Sequence, residues 1–215
     1  MKTGHVIWDW NGTLLDDFAI TARITIDALA DLGHPGVTPD DIRAHYRRPL
    51  SDYFSSLLGR PVQAHELQHL GNRYVSRYEA VMRDQPLAGD AVLALEAIAP
   101  VASQSLLSMA PHPQIALLTE QHRLQAHFSL IQGFAGSGHP SKRESLVSHC
   151  ERLGIAAARC WLIGDTVDDF EAASSLGIRT VLVTTGMQAR KALAATGSPV
   201  VDTLFEGAHI ILDNR

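Results

Sequence analysis

Lysine is scarce in this chain: Lys2, Lys142 and Lys191 are the only three. Lys and Arg together number 18 against 23 Asp and Glu, a formal charge of −5. That balance has the wrong sign for a nucleic-acid binder, which is ordinarily basic. No apolar run reaches the roughly 18 residues that a membrane span needs, so neither nucleic acid nor membrane is expected as a partner. The opening MKTGHVIWDW has no long apolar stretch with a small-residue cleavage site, so no secretory signal is expected and a cytoplasmic location is. The two cysteines, Cys150 and Cys160, are too few for a disulfide framework and read as reduced residues. Eleven histidines are present, yet none falls into H-E-x-x-H or a similar spacing, so no zinc site is read. There is no internal repeat and no low-complexity tract.

What is present is ordinary globular material, 46% hydrophobic over 215 residues, enough for a core with a smaller second module. His5 to Trp8 is a short apolar run that reads as a strand and stops at Asp9-Trp10-Asn11-Gly12-Thr13. Phe18, Ala22, Ile26 and Leu29 then recur at helical steps, with Asp16 or Asp17 as N-cap and Gly33 as a stop. Thr38-Pro39 opens a second helix and Pro49 a third that ends at Gly59; Leu67, Leu70, Tyr74, Tyr78 and Val81 mark a fourth. The segment from about 17 to 83 is thus an all-helical module, and Asp84 to Gly89 is the linker out of it. Beyond it, helices near 90–99, 111–124, 142–152 and 168–176 alternate with strands at 104–108, 130–134, 160–163 and 179–184. Such alternation implies βαβ units, and hence an α/β fold with a doubly wound, Rossmann-like parallel sheet.

Ligands of such sheets bind beyond the carboxyl ends of the strands. There the chain places Asp9, Asn11 and Thr13 after the first strand and Ser108 after the second. Lys142 comes before the fourth strand, and Asp165, Asp168 and Asp169 follow it. Carboxylates, a hydroxyl and a lysine on one edge suit a hard cation and a phosphate: Mg²⁺ takes oxygen ligands, and the lysine offsets the accumulated negative charge. Each residue also has a plainer reading. Asp9 could cap a turn, Asp168 and Asp169 could be first-turn helix acids favoured by the macrodipole, and Lys142 could be solvated. Ile115 to Thr119 imitates the second strand, but parallel neighbours need a crossover of about a dozen residues. Ser108 is therefore the expected strand end and Thr119 a helix residue.

Asp9-Trp10-Asn11-Gly12-Thr13-Leu14-Leu15-Asp16 resembles the first motif of the haloacid dehalogenase superfamily, a strand followed by D-x-D-G-T-L. Gly164-Asp165-Thr166-Val167-Asp168-Asp169 resembles its fourth, G-D-x-x-x-D. The resemblance spans nearly the whole chain and is nearest to the phosphoglycolate-phosphatase-like branch. It implies an α/β hydrolase core over 1–16 and 85–215 and a helical cap over 17–84 inserted after the first strand. It implies a Mg²⁺-dependent phosphatase of small phosphorylated metabolites, monomeric or homodimeric. Asp9 would be the nucleophile that forms an aspartyl-phosphate, and Ser108 and Lys142 would hold the phosphoryl group. Asp9, Asn11 through its carbonyl, and Asp165 would hold the metal, with Asp169 ligating it or orienting its waters. Thr13, Arg47 and Arg48 would contribute to substrate binding, the paired arginines suiting an anionic leaving group.

One residue departs from the pattern. Phosphatases of this superfamily carry a second aspartate where this chain has Asn11. That aspartate protonates the leaving oxygen, and general acid–base catalysis contributes typically about 10²- to 10⁴-fold. Weak turnover of poor leaving groups or a long-lived aspartyl-phosphate is expected unless Asp16, Asp17 or a cap histidine substitutes. A non-catalytic or regulatory phosphate-ligand-binding domain is the alternative that Asn11 raises, and a phosphotransferase or mutase is a weaker one. Phosphonate cleavage needs a cap lysine, and residues 17–83 contain none.

Overall fold

The computed structural model describes residues 4–135 and 141–214; Lys2 lies outside them. Six strands form one sheet in the order β3-β2-β1-β4-β5-β6, with every neighbouring pair parallel. They are β1 (Gly4–Trp8), β2 (Ala102–Pro111), β3 (Ile131–Phe134), β4 (Cys160–Gly164), β5 (Arg179–Val183) and β6 (Val200–Val201). The order reverses at β1, which pairs with β2 on one side and β4 on the other. This reversal is the switch point where doubly wound sheets open a crevice for ligands.

Alternation along the strands builds two cores. Val6, Trp8, Leu106 and Ile163 face one side, where α5 (Ala91–Ile98), α6 (His112–Gln121) and α10 (Leu204–Asp213) cover them. Ile7, Leu107 and Leu162 face the other, against α7 (Lys142–Leu153) and α8 (Val167–Ser174). Strands buried on both faces read as continuous apolar runs, as parallel sheets require. Thr119 lies in α6 and donates to the Ile115 carbonyl, so its apolar approach is a helix face. The remaining helix beside the sheet is α9 (Arg190–Ala194).

Between β1 and α5 the chain forms α1 (Phe18–Asp31), α2 (Pro39–His45), α3 (Leu50–Leu58) and α4 (Ala64–Val81). These bury a cluster of their own, including Phe18, Leu29, Ile42, Phe54 and Leu70. Thr38 caps α2 with a capping box to Asp41. The two strands of chain linking this module to the sheet run side by side: Asp16 N–H donates to the Pro86 carbonyl and Ala88 N–H to that of Leu14, each at 2.9 Å. Asp17 occupies the N-cap position of α1, yet its side chain makes no cap bond. The N-cap expected at Asp16 or Asp17 is thus Asp17, whose carboxylate bonds Asn11, Gly12 and Tyr78 instead of the helix N–H groups.

Candidate active site

Asp9 immediately follows β1 and its N–H donates to the Ile163 carbonyl of β4, which sets its side chain at the carboxyl edge of both strands. Asp165 follows the end of β4, and Asp169 lies one turn into α8. Ligand oxygens of Asp9, Asp165 and Asp169 all lie within 4.8 Å of one another. Lys142, the first residue of α7, is 4% exposed and reaches Asp9 Oδ1 at 2.5 Å and Asp169 Oδ1 at 3.0 Å. A Ser141–Glu144 capping box starts α7 and so fixes where Lys142 points.

Asp169 performs the structural and the site role together. Its Oδ2 accepts from Thr166 N–H and Thr166 Oγ1 in the capping box of α8, while its Oδ1 faces Lys142. Thr13 is buried and its hydroxyl donates to Asp165 Oδ1 at 3.4 Å, so it braces a carboxylate and does not line the cavity. Asp165 Oδ2 also accepts from Met187 N–H at 2.6 Å. Gly186 and Gly12 let the chain come this close: a Cβ on Gly186 would sit 1.9 Å from Asp165 Oδ2, and one on Gly12, where φ is +70°, would sit 2.6 Å away.

Three clustered carboxylates face one ammonium, which pairs with Asp9 and Asp169 and leaves Asp165 without a cation. Burial, partly offset by Lys142 and reinforced by Asp169, pushes Asp9 up to about 7. Burial, with Asp169 and Asp9 adding, pushes Asp165 well above the carboxylate range. Burial alone would lower Lys142, but Asp169 and Asp9 outweigh it and raise its pKa. An all-oxygen donor set with this excess of negative charge fits a hard divalent cation such as Mg²⁺.

The edge opens into a cavity of about 460 Å³ that the sheet and the helical module line together. Asp9, Asn11, Ser108, Lys142, Asp165 and Asp169 border it, with Asp168 beside them. Arg48 lines it as well, whereas Arg47 does not and instead donates to Ser56 Oγ and the His45 carbonyl. The Asn11 amide donates to Asp17 Oδ2 and to Tyr78 Oη, each at 2.7 Å, and Tyr78 Oη donates to Asp17 Oδ2 at 2.6 Å. Gly12 N–H completes the set on Asp17 Oδ1. Burial raises Asp17 despite these bonds from Tyr78, Asn11 and Gly12.

Two features escape sequence reasoning. The partnership of Asp17 with Tyr78 joins residues 61 positions apart. The turn after β5 fastens the helical module to the sheet: Arg43 donates to the Gly186 and Thr185 carbonyls, and Gln188 Nε2 to that of Tyr46. The glycine in Thr184-Thr185-Gly186-Met187, directly after a strand, was the available signal.

Comparison with known proteins agrees with this geometry. A family model described as HAD-hydrolase-like matches residues 138–207. The chain is 31% identical to the “probable phosphatase IndB” of Dickeya dadantii, over 96% of this chain and 94% of that one. It is 30% identical to a phosphoglycolate phosphatase of Chromobacterium violaceum, covering 88% and 89% of the two chains. A haloacid dehalogenase-like family hydrolase from Streptococcus pneumoniae superposes with a TM-score of 0.82 at 18% identity, over 98% of this chain and 99% of that one; it supports the fold.

Proposed function

The chain belongs to the haloacid dehalogenase-like hydrolases and is a phosphoric monoester hydrolase, and from that premise we propose that it cleaves small phosphorylated metabolites through an aspartyl-phosphate on Asp9. The observation that carries this reading is Lys142 held between the Asp9 and Asp169 carboxylates at the switch point of the sheet. In the proposed reaction Asp9 Oδ attacks phosphorus, the ester oxygen leaves with its electron pair and takes a proton, and water then cleaves the acyl phosphate. Lys142 favours the ionised form of the nucleophile against the effect of burial and pairs with phosphate charge, and the Ser108 hydroxyl hydrogen-bonds a phosphoryl oxygen. Asp9, the Asn11 carbonyl, Asp165 and Asp169 would hold Mg²⁺, which when bound neutralises charge on the transferring group. Of the groups that could replace the missing aspartate, Asp17 lines the cavity, while Asp16 is exposed.

We take α1–α4, residues 17–84, as the cap, with segments 14–16 and 86–88 as its two connections. Such a lid confines the chemistry away from water. A non-catalytic phosphate-binding role, which Asn11 suggests, has the intact Asp9–Lys142–Asp169 constellation against it. The experiment is phosphate release from a panel of monoesters with and without Mg²⁺. Metal-dependent release that Asp9→Asn abolishes supports the reading, and release that survives Asp9→Asn refutes it.

A further inference from the structure

Away from the carboxylates the cavity changes character. Its walls on the helical module are Ile24, Ala28, Phe54 and Leu70, with the stacked rings of Tyr74 and Tyr78, whose planes lie 10° apart. Among the described residues only four large hydrophobic side chains are exposed, and two of them, Leu50 (38%) and Val75 (53%), border this cavity. Apolar groups left in water at the rim of a concave site mark a surface that a ligand covers.

The charges on the wall point the same way. Among the described residues Arg48 is the only cation lining it besides Lys142, which is already paired, while the acids Asp17, Glu79 and Asp168 line it too, Asp168 close enough to feel Arg48. A carboxylate on the leaving group would meet more negative than positive charge. The ring of Tyr53, 2% exposed, adds to the same aromatic wall. The volume of about 460 Å³ lies within the roughly 300–1,000 Å³ of sites that hold drug-sized ligands, far more than a two-carbon ester fills.

We propose that this cavity selects a phosphate monoester whose alcohol is uncharged and carries a flat, largely apolar body, and that short carboxylated esters such as phosphoglycolate are poor substrates. The inference rests on the phosphatase reading only for calling this body the leaving group. Matched primary alcohols keep leaving-group chemistry constant: 3-phenylpropyl phosphate, propyl phosphate and phosphoglycolate are compared with native protein and with Val75→Glu at the rim. The expected result is a kcat/KM for the phenylpropyl ester at least about tenfold above the other two, in line with the discrimination apolar pockets achieve. Val75→Glu should reduce that preference, lowering kcat/KM for the phenylpropyl ester by a larger factor than for propyl phosphate. In parallel, calorimetry measures binding of 3-phenylpropylphosphonate and phosphonoacetate in Mg²⁺. Tighter binding of the phenylpropyl compound without hydrolysis of any ester would keep this inference and remove the phosphatase reading. Phosphoglycolate preferred in turnover, or phosphonoacetate bound as tightly, would overturn the inference.

Discussion

At the residue scale, Asn11 and Asp17 are coupled. The Asn11 amide lies 2.7 Å from Asp17 Oδ2, so an aspartate at half-buried position 11 would set a second carboxylate against the buried one of Asp17. Asn11→Asp alone should therefore lower the melting temperature, at a cost on the order of 1–3 kcal/mol. The double change Asn11→Asp with Asp17→Asn should recover most of it, and a double-mutant cycle of thermal unfolding measures the coupling. Additive effects would show that the two side chains do not depend on each other. Asp9, Lys142, Asp165 and Asp169 are legible in the sequence as candidates because each stands at a strand end or helix start; Ser108 is legible as a strand residue, but β2 continues past the expected end at Ser108 to Pro111. The local pattern marks Asp16 or Asp17 as the helix cap and both as replacement acids, but it cannot see that Tyr78, far along the chain, is the partner of the Asp17 carboxylate.

At the scale of the element, the turn after β5 matters more than its sequence suggests. It brings the Met187 N–H to Asp165 and joins Arg43 and Tyr46 to the sheet. Gly186→Ala would drive a methyl group to 1.9 Å from Asp165 Oδ2, so backbone or carboxylate must move. A misplacement of about 1 Å can cost on the order of 10²-fold in rate. Loss of turnover with a near-native circular dichroism spectrum is the expected outcome; unchanged kinetics would mean the turn does not position Asp165. The long elements were legible from period and caps, as with Thr38-Pro39 and Ser108 against Thr119. The two-residue β6 (Val200–Val201) is too short to carry a period, and turn-to-site contacts leave no periodic trace.

At the scale of the whole molecule, pH reaches stability through the sheet as well as the active site. His5 bonds Ser103 and Ser105, and His149 bonds Ser105 and Gln132. Burial pushes His5 down to about 4. Burial, aided by His5, Arg152 and Lys142, pushes His149 down to about 3. The unfolded chain takes up these protons near 6.5, whereas the folded chain does not. Their contribution to stability is therefore complete above pH 6.5 and lost as pH falls toward 4. The raised carboxylates Asp9, Asp17 and Asp165 act with the opposite sign, so the histidine part is read as a difference: the urea midpoint of native protein relative to His149→Gln should fall across that window, and a constant difference would place the acid sensitivity elsewhere.

If Asp9 is the nucleophile, its carboxylate carries the phosphoryl group during turnover. Borohydride reduces an aspartyl-phosphate to homoserine, so quenching the enzyme during turnover with Mg²⁺ and substrate, followed by peptide mass spectrometry, reads the intermediate directly. The account predicts homoserine at position 9, formed only with substrate present and enriched because Asn11 cannot speed its hydrolysis. Phosphate release without modification at position 9, or with modification at another carboxylate, would contradict it.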